Sequence, residues 1–480
     1  MKSLAKNGSF NLIYTLLNLL FPLVTSIYVS RVLMSDGVGR VVYAQTIASY
    51  FVSLAALGLQ NYGVREIAKV RNNSTGKNRL FTQLLIFNFI TTTISLFLYT
   101  LLVINVASMR AEFPLFIACG LAIFWNYFNV DWFYQGEEEY VFIVCRSLFI
   151  KAASLIALFV FVKAKADYIA YAWITSFAIG GNYVFNIIHI RKYIRLSFAD
   201  FKLKPHFKPI LIFGVGTLIA SIYAKIDITM LGTMSAEANV GYYSYGHKVI
   251  ELILCVTTAI TYVYLPRLCL LYCDNQQEFT RLLEQGVRIL AFITFPMAAG
   301  LFIIAPQVVT LLFGKAFLPS AMSIRIFAVL VIIRGFGDLI CYQLGICTGQ
   351  EKLRLPAALL ASVTNVILNL ILIPYMAEIG AAIASVISEV IVNGYQLLKL
   401  RKIVSIPMPK DAFIDALVST AVMSVLVVVI SRLISNFVIS LLISVSFGIL
   451  VYLLINLVMK NKLEMMILNN VKERFVSRKR

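Results

Sequence analysis

Charge is scarce in this 480-residue chain: 14% of its residues are Asp, Glu, Lys or Arg, against 60% hydrophobic. A soluble domain carries about 25% charged residues, so that poverty excludes one. Histidine is scarce, at three residues, and the seven cysteines, Cys119, Cys145, Cys255, Cys269, Cys273, Cys341 and Cys347, form no CxxC pair. Cys269 and Cys273 share a helix face, but without a histidine pair or a second dithiol no metal site is expected, and all seven read as small buried hydrophobes. No GxxxxGK[ST] loop occurs, which removes the common ATP cradle.

What the chain has instead is apolar runs from end to end, and its mean hydropathy is +0.86. The runs fall near 9–31, 40–60, 80–105, 112–134, 141–162, 167–190, 209–232, 239–266, 286–306, 321–347, 355–375, 378–398, 412–433 and 435–459. Each reaches the roughly 17 to 25 residues a tilted helix needs to cross a bilayer, giving about 14 transmembrane helices. The fold class is therefore an all-α polytopic membrane protein. Pro306, Gly314 and Pro319 interrupt the pattern most, in "APQVVTLLFGKAFLPSAM". The start, "MKSLAKNGSFNLIYTLLNLLFPLV", has basic residues before an apolar run, but that run is too long for a signal peptide and lacks a small-x-small site, so it reads as the first span.

Acidic residues are outnumbered, 23 against 42 basic, for a net charge of +19. With a cytoplasmic N terminus, Lys2, Lys6, Arg65, Lys69, Arg71, Lys77, Arg79 and the stretch 191–208 fall inside, as does the tail "KNKLEMMILNNVKERFVSRKR". Roughly 30 basic residues then lie inside against roughly 7 outside, the positive-inside bias that orients a membrane protein with both termini cytoplasmic. Nucleic acid is not needed to explain the basicity. Attraction to anionic head groups is a second use open to the 191–208 loop and the tail. The outer connections, such as "SMRAE" and "VKAKAD", are short and leave no room for the acidic catalytic groups of a membrane glycosyltransferase or polymerase, so no enzyme is expected.

An internal repeat organises the rest. "MSDGVGRVVYAQ" begins at Met34 and "MSAEANVGYYSYGH" at Met234; with a two-residue gap, Val38, Gly39 and Tyr43 match Val240, Gly241 and Tyr245. Each copy joins the first two spans of its half. The expectation is two six-helix bundles, 1–195 and 209–402, related by a pseudo-two-fold axis along the membrane normal, with the substrate site between them. A cationic linker, 196–208, joins the bundles, and 403–480 adds two further transmembrane helices and a basic cytoplasmic tail.

Ionised residues inside spans are costly and usually mark a pathway. Here they are Arg31, Lys151, Lys225 with Asp227, Lys248 with Glu251, Arg334 with Asp338, and Glu389. Lys248/Glu251 and Arg334/Asp338 sit three and four apart, so each is either a self-neutralised pair or part of a site. Lys225 and Asp227, two apart, point in different directions and must find partners elsewhere. Arg31 either snorkels or belongs to the site. Asn365 and Asn369 face either a cavity or another helix. Glu137, Glu138 and Glu139 precede a span, where the helix dipole favours acids. The aromatic run "FWNYFNVDWFY" reads as an interfacial anchor, with sugar stacking as the alternative.

The segments "SRVLMSDGVGRVVYAQ", "LGLQNYGVREIAKVR", "DWFYQGEEEYVFIVCRSLFIKAASL", "KIDITMLGTMSAEANVGYYSYGHKVIEL" and "GQEKLRLPAALLASVTNVILNLILIPYMAEIGAAIASVISE" resemble the polysaccharide flippase family. Found in order over nearly the whole chain, they imply the multidrug/oligosaccharidyl-lipid/polysaccharide exporter fold, in a bacterial cytoplasmic membrane. The implied activity is alternating-access transfer of undecaprenyl-diphosphate-linked oligosaccharide units to the outer leaflet, for O-antigen, capsule or exopolysaccharide. A polysaccharide polymerase and glycosyltransferases are the further expected partners. Many members are drawn with 12 spans; a count near 14 also resembles the lipid II flippase, which stays open as an alternative beside a small-molecule antiporter of the same fold.

The residue types suit that cargo, because a diphosphate entering the membrane loses its water unless cations replace it. Arg31, Lys225, Lys248, Arg334 and Lys151 are the expected substrate contacts, arginine able to grip phosphate in bidentate fashion and lysine as a point charge. Asp227, Glu251, Asp338 and Glu389 are the candidates for coupling to H+ or Na+; no other cofactor is expected. Moving two negative charges outward across about 100 mV would itself release roughly 4 to 5 kcal/mol.

Overall fold

The computed structural model describes residues 4–466 apart from 200 and 435, so Lys2 and the basic tail from residue 467 lie outside the described residues. Helices dominate and no strand occurs among the described residues, as expected where backbone groups must bond within their own segment in lipid. Nine helical stretches among them are long and apolar enough to cross a membrane. The chain divides into two compact units, 1–241 and 242–480.

The first unit runs from α1 (Leu4–Ala56) through α2 (Leu59–Val70), α3 (Ser74–Asn105), α4 (Ala107–Ala111), α5 (Phe113–Trp125), α6 (Asp131–Gly136), α7 (Tyr140–Phe161), α8 (Tyr168–Ile190) and α9 (Lys204–Met234). A straight helix of 53 residues would be about 80 Å long, far beyond a hydrocarbon layer of about 30 Å. Met34 interrupts α1 with φ 58° and ψ −175°, at the repeat element. Between α7 and α8 the Asp167 carboxylate accepts from the backbone N–H groups of Lys163 and Ala164 at 2.9 and 2.8 Å, bonds to its charged form that hold it below the usual carboxylate range.

The aromatic run divides. Trp132, Phe133 and Tyr134 are buried in the core with Phe81 and Ile67 and pack the interior, whereas Phe124 stays exposed. Asp131 beside them accepts from Arg146 at 3.0 Å and from Asn186 at 2.6 Å, and the Tyr134 hydroxyl donates to the Asn186 carbonyl at 2.7 Å. Glu137 and Glu138 do more than favour a helix start: they pair with Lys77 and Arg71 at 3.1 and 3.2 Å, tying the start of α7 to the α2–α3 turn.

The contact division falls after Gly241, later in the chain than the 196–208 linker, because α9 is bonded along α1. Lys225 Nζ donates to Ser49 Oγ at 2.8 Å, Tyr50 and Thr229 hydroxyls lie 2.8 Å apart, and Ser53 donates to Ser221 at 3.2 Å.

The second unit takes in α10 (Glu237–Asp274) from Tyr242 onward, then α11 (Gln276–Phe313), α12 (Ser320–Gly337), α13 (Leu344–Cys347), α14 (Arg354–Leu400), α15 (Lys410–Leu433) and α16 (Phe437–Val458). α11 continues through Pro306 and ends at Gly314, whose φ of 87° turns the chain toward α12. α14 breaks at Ala377 (φ 46°). A Cβ on Gly380 would lie 2.7 Å from the Leu372 carbonyl, so α14 folds back on itself there. α15 and α16 pack on α11: Tyr452 donates to the Phe292 carbonyl at 2.8 Å, and Arg288 pairs with Asp411 at 2.9 Å. The cysteines give a correction. Cys269 of α10 and Cys347 of α13, 78 residues apart, form a disulfide with a Cα–Cα distance of 4.5 Å, a pairing set by helix packing that no spacing motif announces.

Candidate functional site

In the first unit the candidate site residues lie on three helices, Arg31 on α1, Lys151 on α7, and Lys225 with Asp227 on α9. Lys225, half-buried within α9, has the neutral Ser49 hydroxyl as its hydrogen-bond partner among the described residues. Asp227 is buried two positions on. Lys151 sits 5.5 Å from the Phe21 ring, and Arg31 is exposed just before the break in α1.

The repeat elements meet inside this unit. A Cβ on Gly39 would lie 1.8 Å from the Glu237 carbonyl oxygen, and one on Gly241 would lie 2.5 Å from the Ser35 carbonyl. Each glycine thus lies against the backbone of the residue four positions before the other, an approach that only glycine permits. Arg40, next to Gly39, clamps the contact with ion pairs to Glu237 at 2.6 Å and Glu112 at 2.8 Å. Tyr168 donates to Glu112 at 2.9 Å, and Lys165 pairs with Asp36 at 2.7 Å. Sequence reasoning passed over this clamp, although Arg40 belongs to the repeat itself; its acidic partners lie in loops and helix starts, where isolated acids carry no pattern.

In the second unit Arg334 is the hub of a charged cluster. It donates to Glu251 of α10 at 2.9 Å and to Glu389 of α14 at 3.0 Å, so its partners lie on other helices rather than on its own. Asp338 instead accepts from Thr258 at 2.8 Å, and it opens a π turn, Asp338–Gln343. Such turns often sit at functional sites. His247 lies 3.6 Å from Glu251. Two carboxylates thus share one guanidinium, and among the described residues no group of three His, Cys, Asp or Glu side chains is set to hold a metal ion. Lys248 does not pair with Glu251; its ammonium lies 4.8 Å from the Tyr245 ring centroid. Asn369 donates to Asn365 at 3.1 Å inside α14, both buried.

A further feature of the second unit is an apolar groove of about 700 Å³ between α11, α12 and α15, lined by Phe295, Phe302, Val329, Ile332 and Val425, with Arg325 at its edge.

Comparison with known proteins agrees with this architecture. Residues 4–270 match the family model described as polysaccharide biosynthesis protein, and residues 139–448 match that of the lipid II flippase MurJ. A Shigella dysenteriae protein named as an O-antigen transporter is 20% identical over 79% of this chain and 96% of its own length. A Haloferax volcanii protein named as the flippase AglR is 25% identical over 43% of this chain and 44% of its own. Among solved structures, the lipid II flippase MurJ in an inward closed conformation superposes with a TM-score of 0.74 at 16% identity, covering 94% of this chain and 99% of that one. An inward-facing multidrug resistance MATE transporter gives 0.63 at 16% identity, over 80% and 94%. The relatives are flippases and transporters rather than enzymes, the MATE transporter shares the fold, and the chain belongs to the polysaccharide biosynthesis protein family, as a polysaccharide flippase that also matches the lipid II flippase family.

Proposed function

We propose that this chain transfers polyprenyl-diphosphate-linked oligosaccharide units from the inner to the outer leaflet of the cytoplasmic membrane by alternating access, supplying surface polysaccharide. The carrying observation is the state of Lys225: an ammonium within an apolar helix whose hydrogen-bond partner, among the described residues, is a neutral hydroxyl. A cation held in an apolar helix by a neutral hydroxyl is poorly compensated, and a phosphate oxygen can supply the opposite charge. Lys248, set against an aromatic ring, is the matching cation of the second unit. Arg334, already shared between two carboxylates, is assigned to coupling instead, with Glu251, Asp338 and Glu389 holding H+ or Na+. The lipid tail stays in apolar surroundings, and the groove beside α15 offers one such place.

Complementation tests the reading. Expressed in a bacterium deleted for its own O-unit flippase, the chain should restore surface polysaccharide; no restoration at verified membrane levels would overturn it. The match to the MurJ model over 139–448 favours a second reading, lipid II as cargo, for which rescue of a lipid II flippase deletion is the positive result.

Coupling carries its own prediction. Carboxylates that compete with the substrate for nearby cationic side chains link the two occupancies. Asp227→Asn should therefore weaken transport and flatten its pH dependence while leaving the folded protein at normal levels. An unchanged pH profile would remove Asp227 from the coupling group.

A further inference from the structure

The segment between α8 and α9, together with the first turn of α9, carries six basic residues, Arg191, Lys192, Arg195, Lys202, Lys204 and Lys208, against Asp200 alone in sequence. All six are exposed. Between them stand apolar side chains that a water-facing loop would hide: Leu196 is 60% exposed, Phe198 65% and Phe207 56%. Phe198 and Phe201 lie side by side, with ring centroids 6.4 Å apart.

The segment is pinned. Ile190 and Ile194 are buried in the core of the first unit. The backbone N–H of Arg195 donates to Asn78 at 3.1 Å and that of Ser197 to Thr82 at 2.9 Å, both on α3. Beyond these two anchor points the chain presents its aromatic rings and cations outward. The segment leads directly into α9, which is long and apolar enough to cross a membrane, and the start of a spanning helix stands at the level of the head groups.

From this juxtaposition we propose that residues 191–208 form a binding surface for anionic phospholipids of the leaflet they face, with Leu196, Phe198, Phe201 and Phe207 entering the head-group boundary and the six cations holding lipid phosphates. Interleaved rings separate this surface from one built for a soluble acidic partner, which would need cations but no apolar side chains standing in water. Amphipathic basic segments of this composition bind at membrane surfaces through both terms together. The surface is independent of what the transporter carries.

The test uses the full-length protein in detergent, titrated with phosphatidylglycerol or phosphatidylcholine and read by retained lipid in native mass spectrometry. Wild type should retain phosphatidylglycerol over phosphatidylcholine. Combining Arg191→Gln, Lys192→Gln, Arg195→Gln and Lys202→Gln should weaken phosphatidylglycerol binding at least about tenfold at low salt, since each basic residue near an anionic surface contributes measurably. A charge-matched control with Lys352→Gln, Arg401→Gln, Lys402→Gln and Lys410→Gln should keep most of it. Phe198→Ser with Phe201→Ser should lower the retention that persists at 1 M salt, where screening leaves a range of only about 3 Å. Equal losses in the two quadruple variants would reduce the effect to net charge and overturn the surface, as would a linker variant that binds like wild type. All altered residues are exposed, so unchanged melting temperatures without added lipid are expected and show that the variants are folded.

Discussion

Gly39→Ala is expected to destabilise the protein by about 2 to 3 kcal/mol or more and to remove its transport, although it adds a single methyl group. The added Cβ would stand 1.8 Å from the Glu237 carbonyl oxygen, and a backbone atom cannot rotate aside as a side-chain tip can. Relief requires the start of α10 to move away from α1, which lengthens the Arg40–Glu237 pair, now at 2.6 Å. Gly216→Ala in α9 is the control, since open space surrounds that position. There the change should be neutral or stabilising by about 0.5 to 1 kcal/mol, as expected for glycine replaced inside a helix. Thermal melts of both variants in detergent check the pair, and a Gly39→Ala protein as stable as Gly216→Ala would show that the close approach does not exist in the folded molecule.

Arg334→Met should be nearly as damaging, for an electrostatic reason. It leaves Glu251 and Glu389 without their cation and Asp338 nearby. Removing one partner of a fully buried pair costs about 3 to 5 kcal/mol, and Arg334 at 31% exposure should fall below that, at about 2 to 3. Most of the cost should come from Glu389, which is 13% exposed, rather than from Glu251 at 46%. Glu389→Gln added to Arg334→Met should therefore recover more stability than Glu251→Gln added to it. Neither double variant should recover transport if the cluster holds the coupling ion. Full transport by a restabilised double variant would assign the cluster a purely structural role.

The sequence carried the helical class, the polytopic character and the family, because hydropathy and positive-inside charge depend on local composition alone. The repeat at Met34 and Met234 was visible too, and its two glycines proved to pack reciprocally on the facing backbone. What escaped was partner choice. Arg334 has Asp338 one turn away on its own helix, yet its hydrogen bonds go to Glu251 and Glu389, 83 and 55 residues distant. Helix spacing reports which residues share a face, and says nothing of which face another helix will cover. The same limit hid the Cys269–Cys347 bridge and the placement of α9 on α1. The aromatic run could not be divided from sequence for a related reason: interfacial and core aromatics have the same composition, and only packing against Phe81 and Ile67 marks Trp132, Phe133 and Tyr134 as core.

The central claim is that Lys225, bonded among the described residues to a neutral hydroxyl, works on the substrate's charge. Its most direct measurement is surface polysaccharide in the complemented flippase deletion, with wild type, Lys225→Ala and Lys225→Arg at matched membrane levels and matched melting temperatures. The account predicts that Lys225→Ala loses the polymer while Lys225→Arg, which keeps the charge, retains part of it. Wild-type polymer levels from Lys225→Ala would contradict it.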